Sequence, residues 1–297
     1  MALPVEERWI DVNGRRTRYL AGGEGQPVVL VHGGYPGDDT GAESAEIWEE
    51  NLAALTGRYH CIVPDRLGQG LTDLPASDRD YRTAASLEHF IAFLKALGGG
   101  SYHLAGHSSG AYIALQTVLK NPELVRSCTI VSSDTAAPPP GRGDFLLAAN
   151  PHAPCSRDRA RHHLESQCFG RHSVTDRWVD RVHGLLESAN HRAAVDRMHA
   201  GGLYESYFLP ELRSDRETMF RHLASRPLDR PLLLYWGFND PIAPIDLSYD
   251  LYDRLSQIEF RSQMHIVNQA GHYSFRERPD EFNQVFSDFI EDVCHGA

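Results

Sequence analysis

Residues 102–120 read YHLAGHSSGAYIALQTVLK and contain the most informative pattern in the chain. It begins with a short apolar run, passes through GHSSG at positions 106–110, and continues with the apolar spacing of a helix. A G-x-S-x-G sequence between a strand and a helix is typical of a tight turn, because glycines leave room for a strained backbone. The serine hydroxyl then projects above the carboxyl end of the sheet. The stretch therefore predicts Ser108 as a nucleophile.

Strand-like and helix-like segments alternate on both sides of this turn. Asn13-Gly14 predicts an opening hairpin. Further strands are predicted at 27–31, 59–64, 102–106, in CTIVSS ending near Ser133, at 231–237 and at 263–267. Helices are predicted near 45–55, 84–97, 109–120, 247–255 and 279–293. Strands that are apolar on both faces and alternate with helices indicate an α/β fold with a doubly wound, mostly parallel sheet.

The alternation stops between about Thr135 and Leu228, where roughly 90 residues show helical periodicity and no convincing strand. The prolines at 138–140 predict a stiff start to this segment. We expect a core domain of residues 1–134 and 229–297, with a helical cap of residues 135–228 inserted into it. Because the insertion leaves and rejoins the sheet at the carboxyl end of its strands, we expect the cap to cover Ser108 and enclose a largely apolar pocket.

A serine hydroxyl needs a neighbouring base, and the chain has 16 histidines. His272 is the one that follows the last predicted strand behind a glycine, so it is the predicted general base. Asp240, in GFNDPIAP just after the strand at 231–237, is the predicted acid that orients the imidazole. Asp134, at the end of the preceding strand, remains the alternative acid.

Acyl chemistry also needs two backbone donors for a developing oxyanion. One is expected from the N–H of Ser109, and the other from Gly34 or Tyr35 in the loop after strand 27–31. His32, at the start of that loop, is interpreted as structural. The aromatic side chains expected to line the substrate pocket are Tyr204, Tyr207, Phe208 and Tyr273.

Composition limits the remaining classes of function. The 297 residues carry a formal net charge of -11, which disfavours binding to nucleic acid or to an anionic membrane. No signal sequence and no apolar run of about 18 residues is found, and five cysteines without framework spacing favour a reduced, cytoplasmic protein. No HExxH or CxxC sequence occurs, so neither a metal nor an organic cofactor is expected. The expected partner is a small-molecule substrate, and a homo-oligomer stays open.

Five motifs now carry a family resemblance: HGG after a strand, DRLGQGLTD, GHSSG, GFNDPIAP and AGHYSFRERPDEF. In this order they resemble the α/β-hydrolase superfamily from end to end. Within it, RTRYLAGGEGQPVVLVHGG and the GHY-FRERPDEFN ending look most like the meta-cleavage-product hydrolases, which split carbon–carbon bonds in ring-opened aromatic compounds. The chain departs from that group at His107, where asparagine is common, and at Tyr273, where tryptophan is common.

The resemblance implies a serine hydrolase that acts on a small organic carbonyl compound, with a carbon–carbon bond as the favoured target. A carboxylic ester or lactone hydrolase would use the same triad. More distant alternatives are a hydroxynitrile lyase and a non-catalytic ligand receptor. Epoxide hydrolases and dehalogenases of this fold have aspartate at the position of Ser108, which argues against both. Turnover of an activated ester that is lost on Ser108→Ala would separate an enzyme from a receptor.

Overall fold

The computed structural model describes residues 3–138, 150–225 and 227–295. Two of the three prolines predicted to stiffen the start of the cap, Pro139 and Pro140, lie outside these ranges. Over the described ranges, no helix combines the length and the apolar character needed to cross a membrane. Within the same residues, no group of three or more His, Cys, Asp or Glu side chains is arranged to hold a metal ion.

The strands form one twisted layer. They are β1 (Glu6–Val12), β2 (Arg15–Gly22), β3 (Gln26–Val31), β4 (Tyr59–Pro64), β5 (Tyr102–His107), β6 (Val125–Val131), β7 (Leu232–Gly237) and β8 (Gln263–Val267). Their order in the sheet is β1-β2-β4-β3-β5-β6-β7-β8. The hairpin β1–β2 turns at Asn13 and Gly14, both with positive φ, and pairs antiparallel with β4. From β4 to β8 all neighbours are parallel, which confirms the predicted fold class.

Helices cover both faces of this sheet. They are α1 (Glu49–Leu55), α2 (Thr83–Leu97), α3 (Ser109–Lys120), α4 (Arg157–Gln167), α5 (Asp176–Glu187), α6 (Ala189–Val195), α7 (Leu209–Leu223), α8 (Ile245–Ser256), α9 (Ser274–Glu277) and α10 (Pro279–His295). Apolar residues of α2, α3 and α8 form one core cluster, and those of α1 and α10 form a second. A third, smaller cluster contains Tyr81, Ala194, Met198 and Phe208. The helix predicted over 45–55 is divided into a 3₁₀ turn, Ala45–Trp48, and α1, and the short helix α9 was not predicted.

Helices α4 to α7 lie between β6 and β7, and the described residues of this segment contain no strand. Two π-helical turns, Asp196–Ala200 and Tyr204–Phe208, lie between α6 and α7. Met219 of α7 joins the core cluster of α2 and α3, whereas Leu164 of α4 joins the cluster of α1 and α10. The inserted helices therefore bury apolar surface in the same two clusters as the sheet.

Two helical glycines offer a matched test of how tightly α3 is packed. A Cβ on Gly110 would lie 2.3 Å from the carbonyl oxygen of His32, whereas a Cβ on Gly184 of α5 would meet nothing within 4 Å. We expect Gly110→Ala to lower the free energy of unfolding by about 2 kcal/mol or more, because the backbone at His32 cannot yield without moving β3. Gly184→Ala should raise it by roughly 0.5–1 kcal/mol through helix propensity. Urea denaturation measures both, and equal stabilities would contradict this packing.

Candidate active site

Ser108 occupies the turn between β5 and α3. Its backbone has φ 53° and ψ -125°, which is strained for a residue with a side chain. The turn is so tight that a Cβ on Gly106 would lie 2.3 Å from the carbonyl oxygen of Gly110, so only glycine fits at position 106. The Ser133 hydroxyl donates a hydrogen bond to the Ser108 carbonyl at 2.6 Å. Strand, turn and helix therefore hold the serine at the carboxyl end of the sheet.

His272 lies in the loop between β8 and α9, directly beside Asp240. The Nδ1 atom of His272 is 2.9 Å from Oδ2 of Asp240, and both side chains are buried. The other carboxylate oxygen of Asp240 accepts hydrogen bonds from the N–H groups of Ile242 and Ala243, each at 2.8 Å. This arrangement places the imidazole proton on Nδ1 and leaves Nε2 as an acceptor.

Burial by itself would lower the pKa of His272 by disfavouring the imidazolium, but the carboxylates of Asp240, Asp134 and Glu43 outweigh it. The pKa of His272 is therefore raised above its ordinary value. Asp134 reaches the same cavity, but its Oδ1 atom accepts a hydrogen bond from Thr135 at 3.1 Å. Burial raises the pKa of Asp134, and the neighbouring His272 opposes that rise. Of the two predicted acids, Asp240 is the one in hydrogen-bonding contact with the imidazole.

The three residues predicted for the oxyanion hole, Gly34, Tyr35 and Ser109, line the cavity that also contains Ser108 and His272. Ser109 is the first residue of α3, so its N–H has no intrahelical acceptor. Gly34 has φ 71°, a conformation that glycine adopts without strain. These positions suit backbone donation to an anion formed near Ser108.

Two residues beside the triad, His107 and Glu43, were given no role by the sequence analysis. His107, completely buried, donates from Nε2 to the carbonyl oxygen of His272 at 3.0 Å. Glu43 accepts from the Gly33 N–H at 2.6 Å and from the Tyr273 hydroxyl at 3.2 Å. Burial opposes ionisation of Glu43, but the imidazoles around it outweigh burial and lower its pKa. No sequence motif identifies Glu43, because its contacts with Gly33 and Tyr273 form only when the loop after β3 folds back on the site.

The cavity has a volume of about 260 Å³ and lies between the sheet and the inserted helices. The inserted segment contributes His163, Gln167, Leu185, His191, Tyr204, Phe208, Leu209, Leu212, Arg213 and Arg216 to its wall. The remaining charged side chains of the wall are Asp38, Glu43, Arg66, Arg82 and Asp134. The expectation of a largely apolar pocket is therefore wrong, because polar and apolar groups share its surface about equally.

Of the aromatic residues predicted for the pocket, Tyr204, Phe208 and Tyr273 line the cavity and Tyr207 does not. Tyr204 and Phe208 share one face of the π-helical turn and pack against Tyr35, with ring centroids 5.3 and 5.1 Å away. Tyr207 lies on another face of the turn, and its hydroxyl donates to the Arg79 carbonyl at 3.1 Å. The prediction for Tyr207 is therefore corrected: in the wider π-helical turn residues 204 and 208 lie on one face, whereas residue 207 is rotated away from it.

Comparisons with known proteins agree with this fold. A sequence model of the alpha/beta hydrolase fold family matches residues 26–279. The 2-hydroxymuconate semialdehyde hydrolase of Pseudomonas sp. strain CF600 is 28% identical, and the match covers 99% of this chain and 97% of that protein. The 2-hydroxy-6-oxo-6-(2'-aminophenyl)hexa-2,4-dienoic acid hydrolase of Metapseudomonas resinovorans is 26% identical over 96% of this chain and 90% of that protein. The solved meta-cleavage product hydrolase CumD of Pseudomonas fluorescens IP01 superposes with a TM-score of 0.79 at 25% identity, covering 98% of this chain and 100% of CumD.

The electrostatic difference between the two acids can be measured directly. We expect Asp240→Asn to lower the pKa of His272, because it removes the carboxylate that contributes most to stabilising the imidazolium. Asp134→Asn should lower the same pKa by a smaller amount. An NMR titration of the His272 ring in both variants tests this ranking. A larger fall in Asp134→Asn would contradict it.

Proposed function

Since the chain belongs to the α/β-hydrolase fold family and is a hydrolase, we propose that it cleaves a carbon–carbon bond in a small ring-opened aromatic acid. The observation that carries this proposal is that Ser108 and His272, which is hydrogen-bonded to Asp240, line the same cavity. The names of the similar enzymes, a 2-hydroxymuconate semialdehyde hydrolase and a hydrolase of a 2-hydroxy-6-oxo-hexadienoic acid, support the class of substrate.

In the proposed mechanism, Ser108 is the nucleophile, His272 the general base, and Asp240 the residue that orients the imidazole. The neutral Nε2 atom of His272 takes the serine proton, and Asp240 stabilises the imidazolium that forms. The N–H groups of Ser109 and of Gly34 or Tyr35 stabilise the tetrahedral oxyanion. The intermediate then collapses, the bond to the leaving group breaks, and the imidazolium of His272 gives its proton to that group. Water, deprotonated by His272, attacks the acyl group on Ser108, and the acid is released as the serine recovers its proton.

Cleavage of a carbon–carbon bond places one further demand on the site. The conjugated enol acid must first become a ketone, so that the leaving carbon can depart as a stabilised carbanion, and His272 is the group positioned to move that proton. Such a substrate carries a carboxylate. Arg82, Arg213 and Arg216 on the cavity wall supply cationic groups that suit it.

We further propose that residues 135–228 act as a cap that selects the substrate. His163, Leu185 and Phe208, all from this segment, face the cavity that contains Ser108. A cap in this position excludes water, which strengthens the electrostatic interactions inside the site.

Hydrolysis of a carboxylic ester or lactone is the second candidate. It is favoured by His107 and Tyr273, which replace residues common in carbon–carbon hydrolases and contact His272 or its loop. The same triad would serve both reactions, so the leaving group is the point on which the two candidates differ.

We expect Ser108→Ala and His272→Ala each to lower turnover at least about a thousandfold, because members of a catalytic unit fail together. The assay follows loss of a 2-hydroxy-6-oxo-6-phenylhexa-2,4-dienoate chromophore and, in parallel, hydrolysis of 4-nitrophenyl acetate. A fluorophosphonate should label the wild type and fail to label Ser108→Ala. Near-wild-type turnover in either folded variant would contradict the triad, whereas ester turnover without dienoate turnover would favour the second candidate.

Phe208 and Tyr207 provide a matched pair for the cap. Phe208→Ala should change the ratio of kcat/KM between 6-phenyl and 6-methyl dienoates by about tenfold or more, because removing the ring enlarges the cavity. Tyr207→Phe removes only the hydrogen bond to the Arg79 carbonyl, outside the cavity, and should leave that ratio within about twofold of the wild-type value. The rate of labelling by a small fluorophosphonate should change little in either. Equal effects of the two substitutions on the ratio would argue against a cap that selects substrate.

A further inference from the structure

The loop after β4, DRLGQG at positions 65–70, lies behind the loop that carries Gly34 and Tyr35. Arg66 is 5% exposed and donates from one nitrogen, Nη1, to three consecutive carbonyl oxygens. These belong to His32 at 3.2 Å, Gly33 at 3.2 Å and Gly34 at 3.0 Å. A single guanidinium therefore holds the carbonyl groups of this loop on one side.

The Gly33 carbonyl has two additional donors. Nε2 of Gln69 lies 3.0 Å away and Nδ1 of His32 lies 2.9 Å away. The Arg66 N–H donates to Nε2 of His32 at 3.0 Å, which fixes the imidazole proton on Nδ1. Burial, together with the charge of Arg66, lowers the pKa of His32 to about 4, so this neutral tautomer persists at neutral pH. His32 is thus part of the same support.

The planarity of the peptide bond converts these contacts into an orientation. In a trans peptide, a carbonyl and the N–H of the next residue point in opposite directions. Because Arg66 and Gln69 donate hydrogen bonds to the Gly33 carbonyl, the Gly34 N–H on the same peptide points away from these two side chains. The contact of Arg66 with the Gly34 carbonyl does the same for the Tyr35 N–H. Both residues line the cavity beside Ser108.

Arg66 also reaches the second half of the predicted oxyanion hole. Its Nη1 atom donates to the Ser109 hydroxyl at 2.8 Å, and that hydroxyl donates to the Gly34 carbonyl at 2.5 Å. The start of α3 and the loop after β3 are therefore joined through one side chain. The N–H of Gly33 is already bound to Glu43 and is not available to a substrate.

We propose that Arg66 and Gln69 are positioning residues that orient the oxyanion-hole N–H groups toward the oxygen of the carbonyl group that Ser108 attacks. Neither needs to touch the reacting atoms. The Nη1 atom of Arg66 is directed at backbone carbonyl dipoles, and the carboxylate of Glu43 also stabilises its charge. Burial lowers the pKa of Arg66, which nevertheless remains at about 10, so the guanidinium stays charged at neutral pH.

The test compares Arg66→Met and Gln69→Met with Arg126→Met. Arg126 is a matched control, because it also donates hydrogen bonds, to Ser101 and Gln26, but lies at the opposite end of the sheet. We expect kcat for 4-nitrophenyl acetate to fall about tenfold to a hundredfold in Arg66→Met and less in Gln69→Met, with KM changed less than about threefold. Arg126→Met should resemble the wild type in both constants.

A second measurement distinguishes misoriented oxyanion-hole N–H groups from a general distortion of the pocket. An alkyl trifluoromethyl ketone adds to a catalytic serine and forms a tetrahedral oxyanion, whereas acetate binds as a product without forming one. The inhibition constant of the ketone should rise in proportion to the loss in kcat/KM, and that of acetate should stay unchanged. If Arg66→Met does not fold, Gln69→Met carries the same comparison.

The positioning role of Arg66 and Gln69 rests on the proposed serine chemistry. The experiments distinguish failure of the positioning role from failure of the proposed function. Unchanged ester turnover in Ser108→Ala would overturn the proposed function. Loss in Ser108→Ala with wild-type kcat and ketone affinity in folded Arg66→Met and Gln69→Met would overturn only the positioning role. Equal weakening of ketone and acetate in these variants would also overturn it, because that pattern indicates a distorted pocket.

Discussion

The close approach of α3 to the end of β3 is the constraint on which the site depends. At Gly110 the helix backbone lies so near the carbonyls of Val31 and His32 that even a methyl group would be 2.7 and 2.3 Å from their oxygens. This contact brings the N-terminus of α3 beside the loop that follows β3, and it leaves Ser108 with a positive φ. Strain in one residue is offset by the packing of the helix and strand around it.

A second contact connects the inserted helices to the histidine loop. The His272 N–H donates to the carbonyl of Gln167, at the end of α4, at 2.8 Å. Glu277 of α9 accepts from the N–H groups of Phe169, Gly170 and Gly271 at 2.9, 3.1 and 2.7 Å. The inserted segment is thus joined to the loop of His272 by the backbone as well as by apolar packing, and a shift of one would move the other.

The cavity wall carries both acidic and basic side chains. Burial raises the pKa of Asp38 to about 6, and Asp134 is shifted in the same direction for the same reason. Glu43 is shifted the other way, because imidazoles and a backbone N–H surround it. Arginines lie on the same wall, and Arg216 is a neighbour of Asp134. A wall with both kinds of charge suits a polar, conjugated acid better than a simple hydrocarbon chain, because charges interact more strongly at a protein surface than in bulk water.

The parallel sheet, the tight turn at Ser108 and the candidate residues His272 and Asp240 could all be predicted from the amino-acid sequence, because periodicity, glycine spacing and order along the chain encode them locally. The folded chain was needed to show that Asp240 forms the hydrogen bond to His272, that Glu43 and His107 flank the site, and that Tyr207 faces away from the cavity. It was also needed to show that Arg66 supports Gly34, a residue 32 positions earlier. The physical reason is that side-chain contacts and cavity polarity arise from packing between distant segments, and no short pattern along the chain records which of them meet.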